Sequence, residues 1–306
     1  MSPEINIYYV PGERIDRKKW EHCISNAPNE RIYAHSYYLD HMAAHWDALV
    51  LGDYEAVMPL TWNRKYGLYY LYQPAFTASL GVFGNLSASG LTEAFLSAIP
   101  AKFRLAEIAL NPANHFSSFP PYAAGCNNYV LDLNRPYTEL AAGYRENVRR
   151  NIKKSRQLHC ECKKNIPLDS IVELSRAAMG PLTNVKQEDY IHFTRLFNLL
   201  SAQNQAVTYG VYTPAGELVA SCVYFFCGKR AYYILVGNHP NGKTLGASHY
   251  LIDCFIRDYA ETDLLLDFEG SDIRNLAFFY GSFGASVETY PFIRINRLPF
   301  WLRWMK

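Results

Sequence analysis

From Gly237 to Thr244 the chain reads Gly-Asn-His-Pro-Asn-Gly-Lys-Thr, and it continues Leu245-Gly246-Ala247-Ser248. The first eight residues match the phosphate-loop pattern, and Leu264-Leu265-Leu266-Asp267 resembles the apolar strand whose terminal acid holds magnesium in nucleotide hydrolases. The surroundings exclude that fold. It needs a parallel sheet built largely after the loop, but little chain remains beyond Thr244, and the segments before it read as antiparallel strands. What survives is the physics of any glycine turn between a strand and a helix. Free backbone N–H groups and the positive end of the helix dipole favour an anion, here a diphosphate, and Lys243 adds charge. Glycines that only close a turn and cap a helix account for the same residues.

Working outward, three β-type runs precede the turn at 207–212, 218–226 and 231–236, separated by Pro214-Ala215-Gly216 and Gly228-Lys229-Arg230. Before them come a strand at 160–164 and helices at 168–179 and 187–202, the first stopped by Gly180-Pro181. After the turn, the pattern predicts a helix at 245–259, a strand at 264–268, a further helix and a last strand at 287–295. The first half repeats this order: a strand at 5–10, helices at 16–25 and 35–45, a meander at 48–51, 56–62 and 68–72, a loop with Gly81 and Gly84, a helix at 91–99, and strands at 105–110 and 128–133. The residues themselves do not align as a repeat. Pro136 opens a helix over 137–158 that keeps its apolar spacing through Leu140, Tyr144, Val148 and Ile152. The expectation is two similar α+β domains, 1–135 and 136–306, each a mixed, mostly antiparallel sheet flanked by helices, with the last strand and tail able to pack on the first domain.

A chain of 306 residues with 49% hydrophobic and 19% charged content buries a sizeable core, which excludes a disordered scaffold. The net charge of +2 supplies no global field for a polyanion, so nucleic-acid contact needs a local patch. No apolar run approaches the ~20 residues that span a bilayer, and seven irregularly spaced cysteines make a poor disulfide framework, so stable membrane insertion is not expected and a cytoplasmic location is. Eight cations between Arg145 and Lys164, against Glu146 and Glu161, form the strongest charge cluster; Arg149 and Arg150 are its candidates for phosphate contact, and a solvated helix face is the alternative. His41 and His45 have zinc-compatible spacing but no third ligand, and His159, Cys160 and Cys162 read as strand and core residues, so no metal is expected.

The second half resembles the GNAT acyltransferase fold in its order of strand, two helices, meander, glycine turn, helix, strand, helix, strand. The stretch Lys243-Thr244-Leu245-Gly246-Ala247-Ser248 resembles the turn that holds the coenzyme A pyrophosphate there. Leu266-Asp267-Phe268-Glu269-Gly270, Phe279-Tyr280-Gly281-Ser282-Phe283-Gly284-Ala285 and the basic helix from Tyr144 to Lys154 resemble the FemAB-type tandem GNAT group, which commonly has lysine where this chain has Tyr280. The resemblance implies an N-acyltransferase that uses acyl-CoA, such as acetyl-CoA, and a small-molecule or peptide amine acceptor. Val236 and Gly237 would line the acyl chain, and Gly242, Lys243, Thr244, Gly246, Ala247 and Ser248 would hold the phosphates. Two other readings stay open: FemAB-type transfer from aminoacyl-tRNA to a cell-wall precursor, and a GNAT-like binding module without turnover.

Direct acyl transfer to an amine needs a base for the amine, donors for the developing oxyanion and a proton for the leaving group. Glu269, at a strand end beside Gly270, is the candidate base, and Tyr280 the candidate proton donor or substrate clamp. The alternatives are a solvated Glu269 next to a helix capped by Ser271 or Asp272, and a Tyr280 that only packs among Phe278, Phe279 and Phe283. The 76–84 loop occupies the turn's place in the first half but carries no basic residue, so that domain is expected to have lost coenzyme binding. The aromatic and basic 298–306 tail is expected to pack back on the fold.

Overall fold

The computed structural model describes residues 6–86, 89–179, 185–270 and 272–299. Gly180-Pro181, Ser271 and the tail from Phe300 lie outside them. In chain order the first elements are β1 (Ile7–Val10), α1 (Arg17–Ser25), α2 (Ser36–Met42), β2 (His45–Leu51), β3 (Ala56–Lys65), β4 (Leu68–Leu71), β5 (Phe83–Gly84), α3 (Leu91–Ser97) and β6 (Phe103–Ala109). Then follow β7 (Ala123–Asp132), α4 (Tyr137–Ala142), α5 (Glu146–Gln157), β8 (Glu161–Lys164), α6 (Leu168–Met179) and α7 (Gln187–Ala202). The last are β9 (Ala206–Tyr212), β10 (Leu218–Cys227), β11 (Arg230–Asn238), α8 (Pro240–Leu245), α9 (Ala247–Asp258), β12 (Leu265–Asp267), α10 (Arg274–Gly281) and β13 (Ser286–Asn296).

By internal contacts the chain divides into residues 1–126 with 289–306, and 127–288. The second unit begins earlier than residue 136 because β7 pairs antiparallel with β12, Asp132 opposite Leu265. The tail segment joins the first unit because β13 pairs antiparallel with β6, Ile293 opposite Ile108. Each half of the chain thus sends its final strand into the other unit's sheet.

Within the first unit the sheet runs β1-β2-β3-β4-β6-β13, antiparallel except for the parallel β4–β6 pair. Within the second it runs β7-β12-β11-β10-β9-β8, antiparallel except for the parallel β11–β12 pair. The mixed α+β sheet with helices, twice over, agrees with the expectation. In the second unit, α9 buries Leu251, Ile252, Phe255 and Ile256 against Tyr209, Cys222 and Tyr224 of the sheet. Burial of such side chains contributes roughly 1.5–3 kcal/mol each, which is what holds helix to sheet.

Several local expectations need correction. The helix expected over 137–158 breaks between α4 and α5, where the Arg145 N–H leaves the helical ladder to donate to the Ser282 carbonyl at 2.9 Å. The helix expected over 35–45 ends at Met42, and His45 opens β2. His41 and His45 therefore do not share a helix face, and their zinc-like spacing disappears. The first unit's loop after β4 has its backbone groups taken by buried asparagines. Asn29, Asn111 and Asn114 all donate to the Val82 carbonyl, while the Val82 and Gly84 N–H groups donate to Asn114 and Asn29.

Candidate active site

The second unit's site begins where two strands part. β11 pairs with β12 only over Arg230–Tyr232, opposite Leu265–Asp267. Beyond Asp267 the chain turns away, the Phe268 N–H donating to the Tyr129 carbonyl of β7 at 3.0 Å, and Glu269 and Gly270 take left-handed backbone at φ +66° and +75°. β11 runs on alone on that side as far as Asn238, with a bulge at Ile234, since Val223 faces Leu235 while Tyr224 faces Tyr233. Val236 is half-buried here, and Gly237 is buried so tightly under α6 that an added Cβ would meet the Ser175 amide at 2.9 Å.

The stretch after β11, read from sequence as a glycine loop, is a short helix, because His239 caps it, its Nδ1 accepting from the Asn241 N–H at 3.2 Å, and Pro240 supplies the first helical φ. Gly242 is buried against the Val219 carbonyl, where a Cβ would lie 2.3 Å away. Lys243 and Thr244 are exposed, and the Thr244 hydroxyl donates to the Asn241 carbonyl at 2.7 Å. Gly246 joins α8 to α9 at φ +72°, and an added Cβ would meet the Asn151 carbonyl of α5 at 2.5 Å. Its glycine therefore serves both a left-handed junction and a close helix approach. Ala247 is buried, and the Ser248 hydroxyl donates to Asn238 Oδ1 at 2.6 Å, tying the first turn of α9 to the end of β11.

Glu269 is half-buried, its N–H held by Asp267 Oδ1 at 2.9 Å. Tyr280 is 8% exposed on α10 and stacks on Phe268 at 4.9 Å between ring centres, with Tyr233 edge-on at 6.4 Å. Burial, with the Glu269 charge nearby, pushes its phenol up to about 12. The two predicted catalytic residues are thus close enough to interact electrostatically, within an aromatic cluster. Asp272 caps nothing: α10 starts after Ile273, and Asp272 Oδ1 accepts instead from the Asn127 N–H at 3.1 Å. Arg149 and Arg150 are exposed on α5, and Arg149 donates to the Ala142 carbonyl at 2.6 Å.

Sequence reasoning missed two supporting groups. Arg230 donates to Asp267 at 2.5 Å and, through both amino groups, to Glu288 at 3.1 Å, while Asn128 bonds the same two carboxylates at 2.9 and 3.3 Å. The two carboxylates hold the guanidinium well above its ordinary pKa despite its burial. This cluster pins the end of β12 just before the chain turns into Glu269. The available signals were an arginine and an acid at the ends of apolar strands. His249 of α9 lies between Phe279 and Phe283, with its Nε2 3.5 Å from Asn151, and burial lowers it to about 4. Nothing in its sequence neighbourhood distinguishes it.

Residues 142–273 match the family model of the GNAT acetyltransferase domain. Curated protein sequences give no match. Among solved structures, FemX is similar at 10% identity and a TM-score of 0.63, covering 94% of this chain and 97% of its own. The C-terminal domain of a putative lysylphosphatidylglycerol synthetase from Agrobacterium fabrum is similar at 10% identity, 92% of each chain and a TM-score of 0.53. L-PGS from Bacillus licheniformis is similar at 12% identity, 93% of each chain and a TM-score of 0.53. No helix among the described residues is long and apolar enough to cross a membrane. The strand pair that opens beside a helix N-terminus lies within the residues that match the GNAT acetyltransferase domain, and along nearly its whole length the chain shares the fold of FemX.

Proposed function

We propose that the protein is an N-acyltransferase that moves an acyl group from acyl-CoA to an amine by direct attack, without a covalent enzyme intermediate. The observation that carries this reading is the parting of β11 from β12 after Tyr232, which leaves residues 234–238 of β11 leading to the α9 N-terminus. Backbone of Val236 and Gly237 would hold the acyl chain, and the diphosphate would lie against the first turn of α9 with Ser248 and the exposed Lys243. Gly242, Thr244, Gly246 and Ala247 shape that turn through backbone and packing. The acceptor is a small-molecule or peptide amine.

In this chemistry the amine nitrogen attacks the thioester carbonyl, the new C–N bond forms, and the C–S bond breaks from the tetrahedral intermediate. Glu269 would accept the amine's proton. A phenol near 12 is too weak an acid to hand its proton fully to a thiolate whose own pKa is roughly 8.5, so Tyr280 acts as a hydrogen-bond clamp. The first unit's asparagine-filled loop supports the expectation that residues 1–135 hold no coenzyme. A second donor, aminoacyl-tRNA, is favoured by one observation: α5 carries Arg149, Arg150, Lys153, Lys154 and Arg156 against Glu146 alone. Retention of charged tRNA on filters at physiological salt would select it over acyl-CoA.

The test is thiol release from acetyl-CoA in the presence of a panel of amines and short peptides, with wild type and Glu269→Gln. A positioned base contributes about 10²–10⁴-fold, so the variant should lose at least a hundredfold. Equal rates in both would remove Glu269 from the chemistry.

A further inference from the structure

A cavity of about 460 Å³ is lined by α4, α5 and the residues that join them, shares no lining residue with the strand opening, and has a volume in the range of small-ligand sites. Tyr137, Tyr144, Arg149, Lys153, Arg156 and Gln157 line it, and no lining residue is acidic. Beneath it lies Asp253 of α9, fully buried in a helix face that is otherwise apolar. Its Oδ1 accepts from the Tyr137 hydroxyl at 2.7 Å and the Tyr144 hydroxyl at 3.3 Å, and its Oδ2 from Arg156 at 3.0 Å and Arg257 at 3.4 Å.

That count decides the electrostatics. Four donors saturate one carboxylate, whose single negative charge already faces two guanidinium groups. Arg149 and Lys153 then remain without an acid among the residues that line the cavity. A solvated helix face would spread such cations outward, but here three of the helix's five line one concavity with two tyrosine rings beside them. A recess with surplus positive charge and aromatic walls suits a phosphate attached to a base or sugar.

We propose that this α4–α5 cavity is a phosphate-binding subsite, separate from the α9 turn, that takes phosphates at the nucleotide end of the acyl donor. Arg149 and Lys153 hold the anion. Asp253 fixes Arg156 and the two tyrosines from below. Only the assignment of the phosphate to the acyl donor rests on the acyl-transfer reading; the anion site itself does not.

The experiment is calorimetric titration of the full chain with inorganic pyrophosphate, comparing wild type with Arg149→Glu, Lys153→Glu, Lys153→Gln and Lys154→Glu. Lys154 is exposed on the same helix but does not line the cavity. Pyrophosphate should bind wild type with an affinity that falls as salt rises; it should bind Arg149→Glu and Lys153→Glu at least tenfold more weakly, Lys153→Gln less severely, and Lys154→Glu almost normally. No binding to wild type, or an equal loss in Lys154→Glu, overturns the site. Competition by coenzyme A or by an RNA acceptor-stem hairpin supports the donor assignment and identifies the donor. Pyrophosphate binding that neither displaces overturns the donor assignment, while the acyl-transfer reading is judged separately by thiol release.

Discussion

Gly246 meets a packing demand that its place in the motif does not show. Its glycine was expected to open a phosphate turn, and the structure shows a second demand, since the Asn151 carbonyl occupies the place of a Cβ at 2.5 Å. Gly246→Ala should therefore cost about 2 kcal/mol or more in chemical denaturation, from the left-handed φ together with the overlap. A loss of that size would reflect folding and carry no information about coenzyme. Ser248→Asp is the cleaner probe, because an acid in the first turn favours the helix dipole while repelling a diphosphate. The variant loses the hydroxyl's bond to Asn238, so it should be less stable by about 1 kcal/mol, and it should bind coenzyme A at least tenfold more weakly. His249 supplies a prediction with a sign. Its folded pKa of about 4 lies below the unfolded 6.5, so the unfolded chain gains its proton first as pH falls. Stability from this group is fully present above pH 6.5 and is lost on the way to pH 4, up to about 3 kcal/mol. His249→Phe should lose that part of the pH dependence of its denaturation midpoint, so that the gap between wild type and variant changes between pH 6.5 and 4; a constant gap would contradict the buried, neutral imidazole.

At the level of elements, the two meanders, the helices α6 and α7, and the order of strands were legible because apolar periodicity and glycine or proline punctuation are local signals. What was not legible depends on partners distant in sequence. The break between α4 and α5 falls at Gly143, a local signal that the apolar spacing on either side overrides, and is completed by Ser282, more than a hundred residues away, whose carbonyl takes the Arg145 N–H. The exchange of β7 and β13 is likewise a pairing choice, invisible to periodicity. Of the proposed site, Glu269 is picked out by its place at a strand end beside Gly270 and Tyr280 by a resemblance, whereas the Arg230 cluster that anchors β12 emerges only with the fold. Arg230→Ala would leave Asp267 and Glu288 facing each other with little solvent, and breaking a buried pair in this way costs roughly 3–5 kcal/mol. Thermal unfolding should show that loss. Arg230→Lys should recover little of it, because an ammonium cannot reach both carboxylates as the fork does.

For the whole molecule, we propose a single acyl-donor site, in the second unit, although both halves open with a strand, two helices and a meander. The second unit keeps a parted strand pair that leads to the α9 N-terminus, whereas the first has filled the corresponding loop with Asn29, Asn111 and Asn114. The expected stoichiometry is accordingly one coenzyme per chain. The most direct test is the melting temperature of the full-length protein with coenzyme A or acetyl-CoA, with ATP as control, in wild type and Ser248→Asp. At a hundred times the dissociation constant the ligand should add roughly 2.7 kcal/mol, a rise of several degrees for a chain of this size. A rise with coenzyme A that ATP does not match and Ser248→Asp abolishes is the predicted result. No rise at millimolar coenzyme A, or a rise that Ser248→Asp leaves intact, would contradict the placement of the acyl donor at the α9 turn.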